Sequence, residues 1–240
     1  MRAYHHFSVN RSWKHLLVAF AFLLIPLFGF YVFSFISGIA YVATISALLI
    51  SMWRLFVAFV FSTIIAWILV VLLIRGKTET PALAFFDVMQ SLPTFTILPI
   101  AVHYLGSSET TIITFLIITV IWPIIFTLVS SIKQGDRSWK DAVTMSRIRT
   151  IDYVRYYLLP LTTPGLVTGA IIGLGNGWEA LIATEIILQV KTGLGPFFQG
   201  FSNNSVETFL GVIVFLSVIF TINKLVWLPL LEKSHTMTEQ

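Results

Sequence analysis

Two carboxylates stand inside one long apolar stretch of the chain. Glu179 and Glu185 fall within a predicted membrane-spanning helix, where a charged side chain is costly and is expected to face a cavity or a partner. Six helical positions separate them by about 120° and roughly 9 Å, so they do not form one shared site. Glu179, beside Asn176 and Trp178, is the better candidate for lining a solute pathway, and Glu185 is the second. Two alternatives stay open for each: a position at the outer helix boundary, or pairing with a Lys or Arg elsewhere.

Two prolines, Pro93 and Pro99, stand six residues apart in another apolar stretch. Proline bends a helix and frees backbone carbonyls, which suits a segment that lines a cavity. Pro93 is therefore a further candidate pathway residue. A kink without any solute contact is the alternative for either proline alone.

Other chemistry has little support in the sequence. The chain has no cysteine, which excludes disulfides, thiolate nucleophiles and cysteine-metal sites. Its five histidines lack metal-ligand spacing, and it has no nucleophile elbow or phosphate-binding loop. We therefore expect no catalytic residue, no metal site and no cofactor in this chain.

Four glycines follow Pro164 at intervals of four residues, at Gly165, Gly169, Gly173 and Gly177. At 3.6 residues per turn they form one stripe along a helix. Small stripes let two helices approach closely in lipid, so this stripe predicts a packing face at the centre of a bundle or at a subunit interface.

The stretches that contain these residues are too extensive for a soluble protein. Of the 240 residues, 57% are hydrophobic and only 11% are charged, with a mean hydropathy of +0.89, whereas soluble domains have roughly 25% charged residues. A spanning helix needs about 20 mostly apolar residues. We predict an all-α membrane protein with about six transmembrane helices, at 16–36, 55–74, 88–105, 110–132, 160–188 and 207–231. Gly38 ends the first span, and Arg54 lies in the outer loop before the second.

The distribution of Lys and Arg predicts the topology. Both residue types are concentrated at 2–14, 75–77 and 133–155, whereas the alternate loops hold Arg54 and Lys191. Because cytoplasmic loops carry excess Lys and Arg, both termini are expected in the cytoplasm. The first span exceeds a signal-peptide apolar core, so we expect a retained anchor. The predicted organisation is a cytoplasmic segment 1–15, a transmembrane domain 16–231 with a cytoplasmic loop 133–157, and a cytoplasmic tail 232–240.

The loop 133–157 is polar and longer than the other loops. Its apolar residues recur mostly at intervals of three, which is typical of an amphipathic helix. They are Trp139, Ala142, Val143, Met145, Ile148, Ile151, Val154 and Tyr157. Such a helix would lie on anionic lipid or present a docking surface to a cytoplasmic partner, and composition alone leaves both open.

This loop and the start of the fifth span resemble the EAA loop of binding-protein-dependent ABC transporter permeases, whose pattern is Glu-Ala-Ala, a later Gly and a Leu-Pro. The residues at the positions of this pattern are Asp141, Ala142, Val143, Ser146 and Pro160; Ala142 and Pro160 are identical to the family residues, and Asp141 stands in place of Glu. The resemblance implies a MetI-like, type I importer permease fold in the inner membrane of a bacterial or archaeal cell. It also implies a coupling helix in this loop that sits in a groove of the ATPase subunit.

Further motifs look like the nitrate, sulfonate, taurine and bicarbonate branch of these permeases. They are Ser51 with Arg54, Ser91-Leu92-Pro93 followed by Leu98-Pro99 and Gly106, and Trp178 through Glu185 ahead of Gly193-Leu194-Gly195. The resemblance covers roughly residues 45–230. Three departures are Val143 for the second Ala, Ser146 for the Gly and Ala58 for a usual Gly. Ser146 lets a helix continue where the family turns, which is consistent with a divergent paralogue in a heterodimer; a homodimer stays open.

The resemblance implies that two permease chains enclose a path for a small solute, an anion or a small organic molecule delivered by an extracytoplasmic binding protein. Two ATPase subunits would bind ATP and Mg²⁺, so the chain itself is no enzyme. Two other functions remain as alternatives. One is an ion- or proton-coupled secondary transporter in which Glu179 and Glu185 hold the coupling ion, and the other is a non-transporting scaffold subunit.

Overall fold

The computed structural model describes residues 13–73, 79–91, 93–134, 150–201 and 203–236, and these are helical apart from short turns. The helices are α1 (Trp13–Ser37), α2 (Tyr41–Leu73), α3 (Glu79–Ser91), α4 (Leu98–Leu105), α5 (Glu109–Gln134), α6 (Thr150–Tyr153), α7 (Leu159–Ile187), α8 (Leu194–Gly200), α9 (Ser205–Ile222) and α10 (Leu228–Thr236). A 3₁₀ turn, Thr94–Thr96, precedes α4, and π-helical turns, Val154–Leu158 and Asn223–Trp227, lead into α7 and α10. The predicted all-α fold class is confirmed.

Five segments of the described chain are long and apolar enough to cross a membrane. They are Phe20–Ser37, Tyr41–Leu72, Glu109–Lys133, Val154–Ile187 and Ser205–Ser234. A sixth crossing results if the bent pair Ala84–Ser91 and Thr94–Leu105 is one span. The prediction of about six spans agrees with this number.

The predicted third span is broken. Its two arms, Ala84–Ser91 and Thr94–Leu105, meet at 76°. Pro93 lies between them in an extended conformation, with φ −60° and ψ 114°. Because proline lacks an amide hydrogen and disfavours helical geometry in the preceding residue, a helix ends ahead of it. Pro99 instead stands in the first turn of α4, where the missing hydrogen is tolerated.

The second span differs from the sequence prediction. α2 begins at Tyr41 and runs without a break through Arg54. The connector from α1 is only 38–40, and it starts at Gly38, whose φ of +69° suits glycine. The placement of Arg54 in an outer loop is therefore wrong. The physical reason is that its charge has partners inside the bundle, so the helix does not have to end there.

The core of the described bundle is built around α5. Its inward side chains are inaccessible to solvent and include Ile112, Phe115, Leu116, Val120, Ile124, Ile125 and Leu128. α5 packs most extensively on α7 and then on α2. These three helices carry Arg54, Glu109, Glu179 and Glu185, the charged residues of the candidate site below.

The glycine stripe of α7 lies directly against α5. A Cβ atom on Gly165 would be 2.4 Å from the backbone oxygen of Thr127, and one on Gly169 would be 2.7 Å from the Cα of Ile124. Real Cβ atoms do not approach backbone atoms so closely, so any larger residue would push the helices apart. Gly177 brings the same face against Leu55 of α2.

α1 and α9 pack against each other at the edge of the bundle. The hydroxyl of Thr221 donates a hydrogen bond to the backbone oxygen of Phe22 at 3.0 Å. Their outward faces are strongly apolar, and Phe28, Phe35 and Phe209 are 68%, 82% and 65% exposed. Rings exposed to this degree on a helical bundle suit contact with lipid, which explains the hydrophobic composition.

We predict that Gly169→Ala destabilises the protein by about 1–3 kcal/mol, because the added methyl group overpacks the contact between α5 and α7. Gly175→Ala is the matched control, since a Cβ there meets nothing within 4 Å and alanine favours the helix. Thermal unfolding of the purified protein in detergent compares the two. Equal unfolding temperatures would contradict close packing at the stripe.

Candidate functional site

A buried ion pair joins α2 to the end of α7. The Nη1 of Arg54 donates a hydrogen bond to Oε1 of Glu185 at 2.7 Å. Arg54 is 3% exposed and Glu185 is fully buried. An isolated charge in such surroundings would be strongly unfavourable, so each side chain depends on the other.

Neutral groups complete the coordination of the Glu185 carboxylate. The Ser51 hydroxyl donates to Oε1 at 2.7 Å, and the backbone N–H of Gly195 donates to Oε2 at 2.7 Å. The Ser51 oxygen in turn accepts from the backbone N–H of Leu194 at 2.8 Å. Both carboxylate oxygens are therefore bonded, which a buried ion pair requires to be tolerated.

The other side of the guanidinium reaches toward solvent. Arg54 donates from Nε to Oε2 of Glu109 at 2.7 Å, and its Nη2 pairs with the second oxygen of that carboxylate. Nη1 also donates to the backbone oxygen of Thr192 at 2.7 Å. The Glu109 side chain is 61% exposed and stands in the first turn of α5, where the helix dipole favours a negative charge. The network thus links α2, α5, α7 and the turn before α8 at one end of the bundle.

Two glycines let the turn before α8 pack closely against the Glu185 carboxylate. Gly193 has φ +123°, and a Cβ there would lie 2.5 Å from Oε2 of Glu185. A Cβ on Gly195 would lie 2.5 Å from the Cβ of Glu185. The Gly193-Leu194-Gly195 motif noted in the sequence is therefore explained by contact with a buried charge.

Glu185 matches the alternative of pairing with a basic residue, which the sequence left open. Sequence reasoning missed Arg54 as its partner because it placed this residue in a loop. The available signal was Ser51 and Arg54 together inside an otherwise uncharged apolar stretch, one helical turn apart. A charge at such a position predicts an internal partner.

Glu179 lies in a different environment on the same helix. It is exposed, and within the described part of the chain it has no ion pair or hydrogen bond. A cavity of about 260 Å³ lies beside it, between α7, α5 and the bent segment. The residues that line this cavity are Gln90, Thr94, Phe95, Thr119, Trp122, Pro123, Asn176, Glu179 and Ala180. We call it the Glu179 pocket.

The candidate pathway residues do not all lie at one site. Asn176 and Glu179 line the Glu179 pocket, and Pro93 immediately precedes its Thr94. Trp178 is 9% exposed and packs edge-to-face on Phe215 of α9, with ring centroids 5.2 Å apart. Glu185 belongs to the ion-pair network and not to the pocket lining.

A second cavity, of about 540 Å³, lies toward the end of α7. Its lining is mostly apolar and consists of Phe95, Leu98, Pro99, Val102, His103, Ser107, Ile187 and Leu188. Phe95 lines both cavities. The bend at Pro93 thus leaves space on two sides of one aromatic ring.

Most of the predicted coupling residues lie outside the part of the chain that the structure describes. Asp141, Ala142, Val143 and Ser146 lie outside the described residues. Pro160 stands in the first turn of α7, directly after the π-helical turn Val154–Leu158. Across the described ranges, no group of three or more His, Cys, Asp or Glu side chains could hold a metal ion.

Comparison with known families decides the identity of the fold. Residues 58–227 match the model of the inner membrane component of binding-protein-dependent transport systems. The chain belongs to this family. The family resemblance inferred from the motifs is confirmed, and the chain is a multi-pass protein of the inner membrane. This family is the non-catalytic permease component of ABC systems; it carries no cofactor, and the ATPase subunit binds ATP.

Curated relatives share only moderate identity with this permease chain. The nitrate import permease protein NrtB of Synechocystis is 28% identical over 156 residues, which are 65% of this chain and 56% of that protein. The bicarbonate transport system permease protein CmpB of Synechococcus elongatus is 23% identical over 56% of this chain and 49% of its own. The taurine transport system permease protein TauC of Escherichia coli is 26% identical over 47% and 41%. The chain thus spans about half the length of the curated relatives it matches.

We predict that Glu185→Gln destabilises this permease by about 1–3 kcal/mol, because it removes the buried negative charge that Arg54, Ser51 and the N–H of Gly195 stabilise, while Glu109 still pairs with the guanidinium. Glu109→Gln removes a carboxylate from the solvent-facing side of the same guanidinium and is expected to lower stability by less than about 1 kcal/mol. Thermal unfolding in detergent measures both.

A double variant, Arg54→Gln with Glu185→Gln, removes both charges at once. The double variant should lose less stability than the sum of the losses in the Arg54→Gln and Glu185→Gln single variants, because it leaves no buried charge without its partner. Strict additivity of the three measurements would contradict an energetic coupling between these side chains.

Proposed function

We propose that this chain is one of two permease chains that together form the translocation path of an ATP-driven importer. The observation that carries the proposal is the family match over residues 58–227. The Glu179 pocket supports it, because this pocket supplies polar groups within a membrane-spanning bundle. The second permease chain would be a copy or a paralogue.

The translocation path is proposed to run along one face of α7. Asn176 and Glu179 are exposed on this helix and line the pocket, and Gly175, which precedes Asn176, is exposed as well. Polar groups that face lipid are unfavourable, so a second permease chain or a water-filled path is expected to cover them. Glu179 lies eight residues before the last residue of α7, which is about 12 Å along the axis. The pocket would therefore be reached from inside the bilayer region and not at its surface.

Glu185 and Arg54 are proposed to anchor the path. They hold α2, α7 and the turn before α8 together, whereas the glycine stripe holds α7 on α5. These contacts favour movement of α2, α5 and α7 as one body. Alternating access would then arise from rotation of such bodies in the two permease chains, with the pocket between them.

The segment 133–157 is proposed to couple this body to an ATPase subunit. It connects α5 to α7, and its described end passes through a π-helical turn directly into α7 at Pro160. A displacement of the coupling residues Asp141, Ala142, Val143 and Ser146 would thus be transmitted along α7 to the pocket. Two ATPase subunits, one for each permease chain, would supply ATP binding and hydrolysis.

The orientation is proposed from the charge distribution. Lys and Arg are concentrated in the segment between α5 and α7, which supports a cytoplasmic position for that segment. α5 has 26 residues, about 39 Å at 1.5 Å per residue, so Glu109 at its other end would face outward. The ion-pair network would then lie at the outer surface, and both termini would be cytoplasmic.

The solute is proposed to be small and to be delivered by an extracytoplasmic binding protein. The relatives named above include permeases for nitrate, bicarbonate and taurine. Their names support an anion or a small organic molecule as the solute class.

We expect the tagged chain to co-purify an ABC ATPase in mild detergent and Asp141→Lys to reduce that ATPase at least tenfold, because it reverses a charge in the coupling segment. Mass spectrometry of the purified complex measures this ratio. Glu207→Lys is the control, since it makes the same change in the first turn of α9. Absence of any ATPase from the wild-type preparation would contradict the importer assignment and favour a gradient-driven transporter.

The orientation is testable with single cysteines because the chain has none of its own. Ser138→Cys should react with a membrane-impermeant maleimide only in inverted vesicles, and Ser107→Cys, in the turn before α5, only in intact cells. Labelling in the opposite pattern would reverse the topology and remove the docking surface from the ATPase side.

A further inference from the structure

The Glu179 pocket has an electrostatic character that narrows the class of solute. Of its nine lining residues, Glu179 is the charged one, and none of the nine is Lys, Arg or His. The carboxylate is exposed. No basic side chain of the described ranges forms an ion pair with it. The wall that this chain contributes is therefore negative.

Glu185, unlike Glu179, is a carboxylate whose charge is neutralised within this chain. Glu185 receives Arg54, a hydroxyl and a backbone N–H, and it is fully buried. Arg54 also engages Glu109, so its donors on both sides are occupied. Nothing comparable surrounds Glu179 in the described structure, although an uncompensated charge within a membrane-spanning helix is costly. We therefore expect a solute that enters the pocket to supply the positive charge that balances Glu179.

The remaining wall suits an organic cation. Phe95 and Trp122 contribute aromatic rings, whose negative faces attract a positively charged group. Gln90 and Asn176 contribute amides that both donate and accept hydrogen bonds, and neither side chain is engaged by another described residue. A volume of about 260 Å³ limits the solute to a small molecule. An inorganic anion would instead meet an unscreened carboxylate with no basic group to offset the repulsion.

We propose that the Glu179 pocket admits a small organic solute that carries a positively charged nitrogen, such as a protonated amine, and disfavours inorganic anions. This inference rests on the proposed function, because it assumes that the pocket lies on the translocation path. The relatives named for nitrate and bicarbonate import indicate inorganic anions instead.

The test measures the local field with probes of opposite charge. Asn176→Cys places a thiol on the pocket wall about one helical turn from Glu179, in a chain without other cysteines. The full chain, reconstituted in lipid nanodiscs with the subunits that co-purify, is treated with the trimethylammonium-ethyl and the sulfonato-ethyl methanethiosulfonate reagents. The ratio of the cationic to the anionic reaction rate is divided by the same ratio for a free thiol.

We expect this normalised ratio to be about ten or more, and to fall about tenfold when Glu179→Gln is added. Glu207→Gln is the matched control: it removes a carboxylate on α9 but keeps an oxygen for the Asn204 amide that donates to it, and it should leave the ratio unchanged. Elution at the same volume from a sizing column shows that each variant is folded.

A ratio that does not respond to Glu179→Gln would overturn the proposal, since it would mean that a proton or a basic side chain of another subunit neutralises Glu179.

In a second arm, liposomes that contain the complete complex are supplied with ATP and labelled nitrate or bicarbonate. We expect no ATP-driven accumulation of either anion. Uptake of either one would overturn the cation assignment while supporting the importer function, whereas loss of the ATPase from the preparation would count against the importer function itself.

Discussion

Neutralisation of Arg54 inside the bundle is the constraint on which the rest of the structure depends. A buried guanidinium and a buried carboxylate are stable only when each of their polar atoms has a partner. Besides the ion pair itself, Ser51, the N–H of Gly195, the backbone oxygen of Thr192 and the Glu109 carboxylate supply those partners. As a result, α2 continues past a charged residue, the turn before α8 folds back over α7, and two glycines become necessary where that turn touches the carboxylate.

The ion pair and the glycine stripe hold the same three helices together at different positions along their length. The ion pair joins α2 to α7 at one end, and the stripe lets α7 approach the backbone of α5 along its length. In lipid there is no hydrophobic force that drives helices together, so close backbone packing and internal polar bonds provide the cohesion. The bent segment around Pro93 lies outside this body, and the Glu179 pocket opens where the two meet.

Glu179 and Glu185 illustrate how position decides the role of a residue type. They stand on the same helix, about 120° apart. One faces Arg54 and is saturated with hydrogen bonds, whereas the other faces a cavity with aromatic and amide walls. The first carboxylate contributes to the architecture, and the second remains available to a solute.

The sequence by itself determined the membrane class, the number of spans to within one and the glycine face of α7, because hydropathy and helical periodicity are local properties of the chain. The EAA-like residues and the ordered motifs also determined the family. Only the tertiary structure decided that Arg54 is buried, that Glu185 is its partner, and that Pro93 separates two arms at 76°. Arg54 and Glu185 are 131 residues apart in the chain, and no local pattern specifies which distant charge a buried residue will meet. That choice depends on the packing of α2, α5 and α7, which becomes visible only when the helices are assembled.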